Sequence, residues 1–187
     1  MQAVEGKRIA ALVGDGFEEI DLSEPRRAFE EAGAFVTIVG IDEKARTKVR
    51  AKRGLDEGTS VKAEELVGDC TAEDFDALLI PGGFSPDQLR ANEQVQRFVS
   101  EFDVAKKPIF VIGHGAHVLI SARLSRSRQL TGSHSIADDI RNAGGLYRDQ
   151  PVVQDSNWVS TRGAEDMGQF NRAILDKLAT AGAAPVA

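Results

Sequence analysis

The sequence predicts an α/β fold: a parallel central sheet with helices on both faces and a peripheral hairpin. Two observations carry this prediction. Short apolar runs rich in β-branched residues recur along the chain, each too short for a helix and apolar throughout, which is typical of strands buried on both faces. Amphipathic helical patterns lie between them, and strands that alternate with helices imply right-handed crossovers and a parallel sheet.

The apolar runs at residues 9–13, 35–39, 77–80 and 109–112 are the predicted core strands. The first predicted helix spans residues 22–32, where Leu22, Pro25, Phe29 and Ala32 form one stripe. Pro25 is compatible only with a first helical turn, and Gly33 is a suitable stop after the last one. These elements begin the strand and helix alternation.

Two later helices are predicted from apolar faces, one over Val95, Phe98, Val99 and Phe102 and one from about Glu165 over Met167, Phe170, Ile174 and Leu178. The polar stretch at residues 42–62 is interpreted as an excursion with at most a weak hairpin. Residues 152–153 and 158–160, joined by residues 155–157, predict a second hairpin near the sheet edge. We expect one domain over residues 1–187, with a core from about residue 7 to residue 180 and a frayed small-residue tail.

The composition excludes several classes of function. A net charge of −6 disfavours a broad nucleic-acid surface, and no apolar run is long enough to span a bilayer. The first residues do not resemble a secretory signal, so we expect a cytoplasmic protein. One cysteine, Cys70, and three histidines predict no disulfide, no cofactor and no metal site. Cys70 itself is interpreted as a small buried hydrophobic residue.

The loop after the first strand is rich in carboxylates, with Asp15, Glu18, Glu19 and Asp21 in seven positions. These acids would repel a phosphate, which disfavours a nucleotide-binding loop. Functional groups of an open parallel sheet gather beyond the C-terminal ends of its strands, so Glu18 and Asp21 are predicted to lie in that crevice. Glu19 is equally well explained as complementing the dipole of the following helix.

Two further strand ends carry glycines. Gly82 and Gly83 follow the third strand, where they either expose backbone N–H groups for an oxyanion hole or form an ordinary tight turn. This strand end has no aspartate, which disfavours a phosphorylated receiver domain.

Gly113-His114-Gly115 joins the fourth strand to a helix, the context of a nucleophile elbow, where the helix directs N–H groups and its dipole at the crevice. A glycine there relaxes a backbone strain of about 1–3 kcal/mol and offers no side chain for attack. A tight turn with a hydrogen-bonded histidine is the alternative.

Taken in order, the strings D-G-F-E-E-I-D, P-G-G, I-G-H-G, S-I-A-D-D-I-R-N-A-G-G and W-V-S-T-R resemble the PfpI intracellular-protease family. That family is part of the class I glutamine amidotransferase-like superfamily, which includes the Parkinsonism-associated deglycase. The likeness runs from about residue 7 to residue 178. It implies a flavodoxin-like sandwich and cysteine-dependent hydrolase chemistry.

The resemblance also implies roles for individual residues. Gly113 stands where the family has its nucleophilic cysteine, and His114 is the histidine that follows it. Asp21 takes the place of the glutamate that contacts the thiol, and Glu18 matches a second acid. Asp87 matches a glutamate that reaches the histidine across a subunit interface. Aspartate in place of glutamate withdraws the carboxylate by about 1.5 Å.

The remaining positions implied by the resemblance are oxyanion or ligand-binding ones: Gly82, Gly83, Gly115, Ser133 and His134. Ser133-His134 stands where an aromatic residue and proline are usual, so several rim positions differ together with the nucleophile. This clustering favours natural divergence over a single engineered substitution, and engineering and a misread modified cysteine are the alternatives left open. Whether His134 has entered the crevice to take over a role is left open.

Two hypotheses about function follow. The chain is either an impaired member of a protease, amidase or deglycase-like lineage, or a non-catalytic stress protein that binds a small molecule, a peptide or a partner in the same crevice. In either case we expect a homodimer or higher homo-oligomer with Asp87 near an interface. We expect no nucleic acid or membrane partner.

Overall fold

A computed structural model describes residues 4–181. Most of the predicted tail therefore lies outside the described residues, and its first two residues, Ala179 and Thr180, belong to the last helix. The strands are β1 (Arg8–Leu12), β2 (Phe17–Glu18), β3 (Phe35–Gly40), β4 (Ala51–Arg53), β5 (Asp56–Glu57), β6 (Glu65–Leu66), β7 (Ala77–Ile80), β8 (Ile109–Ile112), β9 (Gln129–Leu130), β10 (Leu146–Tyr147), β11 (Val152–Asp155) and β12 (Trp158–Thr161).

Seven of these strands form the central sheet, in the order β11-β12-β8-β7-β1-β3-β6. Neighbouring strands are parallel except for β11 and β12, which form the antiparallel hairpin at one edge. The β9–β10 pair and the β2-β4-β5 sheet are separate. The predicted parallel α/β fold with a peripheral hairpin is confirmed, and the excursion at residues 42–62 does contain a short hairpin, β4–β5.

The helices are α1 (Glu19–Glu31), α2 (Ser85–Arg90), α3 (Glu93–Val104), α4 (Ala116–Ser121), α5 (Ala137–Asn142) and α6 (Met167–Thr180). Alternate residues of the core strands divide between two apolar clusters, one on each face of the sheet. Phe29 of α1 and Phe170 of α6 belong to one cluster, and Val95 of α3 and Ile140 of α5 belong to the other. The strands are therefore buried on both faces, as their uninterrupted apolar sequences require.

Helix α1 departs from its prediction at the N-terminus. It begins at Glu19, three residues before the predicted start, so Pro25 lies inside the helix instead of in its first turn. Proline removes one helical hydrogen bond, yet Leu22, Pro25 and Phe29 are buried together on the face that packs on the sheet. The packing of these side chains on the sheet therefore outweighs the preference of proline for the first turn of a helix. Gly33 follows the helix with a φ of +84°, as the predicted stop requires.

No helix between residues 4 and 181 combines the length and the apolar character needed to cross a membrane.

Candidate functional site

The candidate site lies at the C-terminal edge of the sheet, where β1, β7 and β8 end side by side. The chain leaves β1 toward β3 on one side and later returns to β7 on the other, so the crevice at this edge is a topological switch point. Three segments meet there: the loop from β1 to α1, the Pro81-Gly82-Gly83 turn after β7, and the Gly113-His114-Gly115 turn after β8.

Gly113 adopts the left-handed conformation expected of an elbow residue. It is buried, with φ +53°. A Cβ atom added to it would lie 3.0 Å from Ser133 Oγ and 3.3 Å from the backbone oxygen of Arg162. Residues 113–115 form a 3₁₀ turn that leads into α4, a helix of only six residues. The N-terminal end of this short helix is thus next to the elbow, as the elbow context predicts.

His114 lies between two serine hydroxyls. Ser133 Oγ is 3.3 Å from its Nδ1 atom, and Ser135 Oγ is 3.3 Å from its Nε2 atom. His134, which stands between these serines in the sequence, is exposed. The imidazole is therefore held at both nitrogens by hydroxyl groups, and the described residues place no hydrogen bond between His134 and the site.

Asp21 is the acid that the fold buries beside the glycine turn. Its carboxylate accepts a hydrogen bond from the backbone N–H of Gly82 at 3.0 Å, and only 4% of the residue is exposed. Burial raises the pKa of Asp21 to about 7, and the negative charges of Glu18 and Glu165 act in the same direction. The Gly82 hydrogen bond opposes the shift without cancelling it. Asp21 thus holds its proton to a far higher pH than an exposed aspartate does.

The glycines of the site allow backbone segments to approach each other. A Cβ on Gly82 would lie 2.9 Å from both Asp21 Oδ2 and the backbone oxygen of Ile112, and one on Gly115 would lie 2.7 Å from the backbone oxygen of Ile80. Neither position can hold a side chain without moving main chain. The glycine turn therefore packs directly against the elbow.

Gly83 has a backbone N–H that is left without an acceptor in the described part of the chain. It has φ +79° and pairs with the β1–α1 loop through two hydrogen bonds, from Glu18 N to Gly82 O at 3.2 Å and from Phe84 N to Gly16 O at 2.8 Å. These bonds flank Gly83, and its own N–H donates no hydrogen bond within residues 4–181. The N–H of Gly83 is thus not committed to another acceptor, and its role at an oxyanion site stays a prediction.

The other acids of the β1–α1 loop point elsewhere. The Glu18 carboxylate accepts a hydrogen bond from the backbone N–H of Gly54 at 3.0 Å, in the β4–β5 turn. The Glu19 carboxylate accepts one from the backbone N–H of Thr59 and lies in the first turn of α1. Of these acids, Asp21 alone is buried at the crevice within the described chain, whereas Glu18 contributes through its charge.

Two residues singled out in the sequence lie away from the elbow contacts. Asp87 is exposed in the first turn of α2, where an interface role remains a prediction. Cys70 is half-buried after β6, and its thiol donates to the backbone oxygen of Leu66 at 3.3 Å. Burial, with four nearby carboxylates, raises the pKa of Cys70 to about 11. A thiol with so high a pKa is scarcely ionised at neutral pH and is a poor nucleophile.

Sequence analysis missed residues that the fold brings to the site. Ser135 is one, since no local pattern links it to a histidine 21 positions earlier. His117 is another: its ring centroid is 5.7 Å from that of His114, and burial lowers its pKa. The His-x-x-His spacing was the available signal, because residues three apart share a helix face.

The chain is similar to known proteins over almost its whole length. Residues 7–177 match the model of the DJ-1/PfpI family. Among curated proteins, the chain is 45% identical to "Putative cysteine protease YraA" of Bacillus subtilis (strain 168), over 92% of this chain and 98% of that protein. It is 43% identical to general stress protein 18 of the same organism, over 92% and 99% of the two chains.

A third relative is protein/nucleic acid deglycase 2 of Escherichia coli (strain K12), 38% identical over 90% of this chain and 96% of that protein. Among solved structures, DJ-1 of Schizosaccharomyces pombe superposes with a TM-score of 0.80 at 26% identity, covering 95% of this chain and all of that one. These matches extend over nearly the whole chain, so they concern the complete fold and not one motif.

Proposed function

The chain belongs to the DJ-1/PfpI family, and from this membership we propose that it is a stress-response protein of a cysteine-hydrolase lineage that has lost the thiol step. The names of its relatives include a putative cysteine protease, a stress protein and a deglycase. These names support a lineage with protease-, amidase- or deglycase-like chemistry. A nucleophile is required for the covalent step of such enzymes.

One observation carries the proposal. The buried elbow position with φ +53° holds glycine and offers no side chain for attack. Around it, Asp21 accepts a hydrogen bond from the Gly82 N–H, and His114 has hydrogen-bonding partners at both ring nitrogens. An oxyanion site and substrate binding alone retain roughly 10³–10⁴-fold acceleration over water in proteases that lack their nucleophile. Impaired activity, and not its complete absence, is the expectation.

The alternative is a non-catalytic protein that binds a small molecule or partner on the same fold. A cavity of about 200 Å³ beside the ends of β1 and β3 favours it. Lys44 and Lys48 line this cavity together with Asp15 and Asp42. The two lysine charges are therefore balanced by two carboxylates, so the lining favours a small polar ligand over an anionic one.

Oligomerisation and location complete the proposal. We expect a homodimer or higher homo-oligomer, with the exposed Asp87 near the interface and directed at a neighbouring subunit. We also expect a cytoplasmic protein. Both expectations come from the resemblance and the composition.

The substitution Gly113→Cys tests the proposal, with Gly113→Ala as its matched control. Both variants add a Cβ at φ +53°, which we expect to cost about 1–3 kcal/mol of stability. Only the cysteine variant adds a thiol. Alkylation by iodoacetamide, peptidase activity and consumption of glyoxal are measured for both variants and for the unaltered chain.

The expected result is alkylation at position 113 and a gain of at least one activity in Gly113→Cys, with neither in Gly113→Ala. Cys70 serves as an internal control, because a thiol with a pKa of about 11 is scarcely ionised at pH 7. A folded Gly113→Cys variant that gains no activity would contradict the lost-nucleophile proposal. That outcome would leave the binding alternative.

A further inference from the structure

Ser133 places its hydroxyl beside Gly113, the elbow residue that has no side chain. Its Oγ atom lies 3.0 Å from the position a Cβ on Gly113 would occupy, and a C–S bond is about 1.8 Å long by ordinary covalent geometry. The Ser133 hydroxyl is therefore within a few ångströms of the place where a nucleophilic atom at position 113 would stand. The residue is half-buried and belongs to the loop between β9 and α5.

The same hydroxyl is next to a base. Ser133 Oγ and His114 Nδ1 are 3.3 Å apart, slightly beyond the 2.6–3.2 Å of a working nucleophile and base, which are often looser without substrate. The second acceptor near Ser133 is the backbone oxygen of Arg162, at 3.4 Å. The hydroxyl can donate its hydrogen bond to either acceptor, and in both cases its oxygen stays beside Gly113.

We propose that Ser133 is a nucleophile activated by His114, and that this pair transfers the acyl group of small carboxylic esters. The inference rests on the proposed function because it uses the same crevice. It does not require that thiol chemistry has been lost completely. It assigns the chain a serine-dependent activity in the crevice from which the thiol is missing.

The tautomer of His114 follows from its two neighbours. To accept the proton of Ser133, Nδ1 must be unprotonated, so Nε2 carries the hydrogen and donates it to Ser135 Oγ at 3.3 Å. Ser135 is thus a positioning residue. Unlike the aspartate of a serine-protease triad, its neutral hydroxyl does not stabilise the imidazolium that forms.

This difference sets the substrate class. An amide needs strong protonation of its leaving amine, whereas an ester releases an alcohol more readily. A histidine oriented only by a hydroxyl therefore suits esters with good leaving groups. The N–H of Gly83, which donates no hydrogen bond within residues 4–181, is the candidate donor to the oxyanion.

The reaction has two halves. In the first, Ser133 Oγ bonds to the ester carbonyl carbon while its proton moves to His114 Nδ1; the tetrahedral intermediate then breaks its C–O bond, and the alcohol leaves with that proton. In the second, His114 takes a proton from water as the water oxygen attacks the acyl group. The Ser133 ester bond breaks, the carboxylic acid leaves, and Ser133 regains its proton.

The test uses hydrolysis of p-nitrophenyl acetate and labelling by a fluorophosphonate, with the labelled residue located by peptide mass spectrometry. We compare the unaltered chain with Ser133→Ala and with Ser100→Ala as a matched control. Ser100 is also half-buried, and its hydroxyl donates to Gln96 O inside α3. We expect label on Ser133, at least a tenfold loss of hydrolysis in Ser133→Ala, and no loss in Ser100→Ala.

Two further measurements keep the test decisive. Ser133→Cys retains a nucleophile at the same place, so we expect it to react with iodoacetamide faster than Cys70 does, even if Ser133→Ala folds poorly. Ser135→Asp places a carboxylate near His114 Nε2 and should raise the rate of acylation. Unchanged hydrolysis in Ser133→Ala, or acetyl found on His114 instead of Ser133, would overturn the proposal.

The outcomes separate this inference from the proposed function. Labelling of Ser133 concerns only the serine, and the gain of activity in Gly113→Cys concerns only the thiol. A Gly113→Cys variant without activity leaves the Ser133 result standing. An unlabelled Ser133 likewise leaves the cysteine-lineage proposal intact.

Discussion

The substitution Asp21→Asn should stabilise the protein at alkaline pH and leave its stability at acid pH nearly unchanged. Asp21 is buried, and burial raises its pKa from the ordinary value of 3.8 to about 7. The folded state therefore holds a proton that the unfolded state releases between these two pH values. Stability must fall as pH rises from about 4 to about 7, and the ionised carboxylate imposes its full cost above that range.

The size of this cost follows from the same two pKa values. Each tenfold change in an acid's dissociation constant corresponds to about 1.4 kcal/mol, so the shift from 3.8 to about 7 corresponds to about 4 kcal/mol above pH 7. Asparagine has nearly the same shape, accepts the Gly82 N–H through its carbonyl and carries no charge. For a chain of 187 residues, a change of 4 kcal/mol shifts the melting temperature by about 8–16 °C.

Thermal unfolding of the unaltered chain and of Asp21→Asn, followed by circular dichroism from pH 4 to pH 8, measures this effect. We expect the two melting temperatures to agree near pH 4 and to separate as pH rises, with the variant higher at pH 8. Asp176→Asn, at an exposed position of α6, is the matched control. Its melting temperature should depend on pH in the same way as that of the unaltered chain. A constant difference between the two curves at every pH would refute the argument.

Two other predictions concern Cys70 and Asp87. Because its pKa is raised to about 11, Cys70 should react with Ellman's reagent at pH 7.5 far more slowly in the folded chain than in guanidinium chloride; equal rates would contradict its assigned environment. If the exposed Asp87 lies at a subunit interface, Asp87→Arg should lower the molar mass measured by multi-angle light scattering, and a monomeric unaltered chain would remove that role.

Sequence patterns predicted the core of the fold well because they depend on short-range periodicity. The apolar runs at residues 77–80 and 109–112 coincide with β7 and β8, since strands buried on both faces need no polar residue. The buried face of α3 is the predicted one. The start of α1 was missed because its first turn carries Glu19 and Asp21, two acids that the sequence assigned to a loop instead.

The site was predicted only in part, because its contacts join distant segments. The strand ends drew attention to Gly82 and Gly113, and the fold does bring Gly82 next to this turn, since a Cβ on Gly82 would lie 2.9 Å from the backbone oxygen of Ile112. The functional roles of the two glycines stay predictions. The hydroxyl groups around His114 come from a loop some 20 residues later, and no spacing within the sequence places them there. The direction of the Glu18 side chain depends likewise on the β4–β5 turn, whose position the sequence did not define.

The glycines and the buried acid of the crevice differ in what they imply about function. Gly82 and Gly115 would be required even in an inactive protein, because a Cβ at either position would lie within 3 Å of a backbone oxygen. Asp21 is different, since its burial costs stability at neutral pH and a neutral residue would fill the same space. Buried acids with strongly raised pKa values concentrate at functional sites. Asp21, more than the glycines around it, therefore supports the proposal that this crevice binds or transforms a ligand.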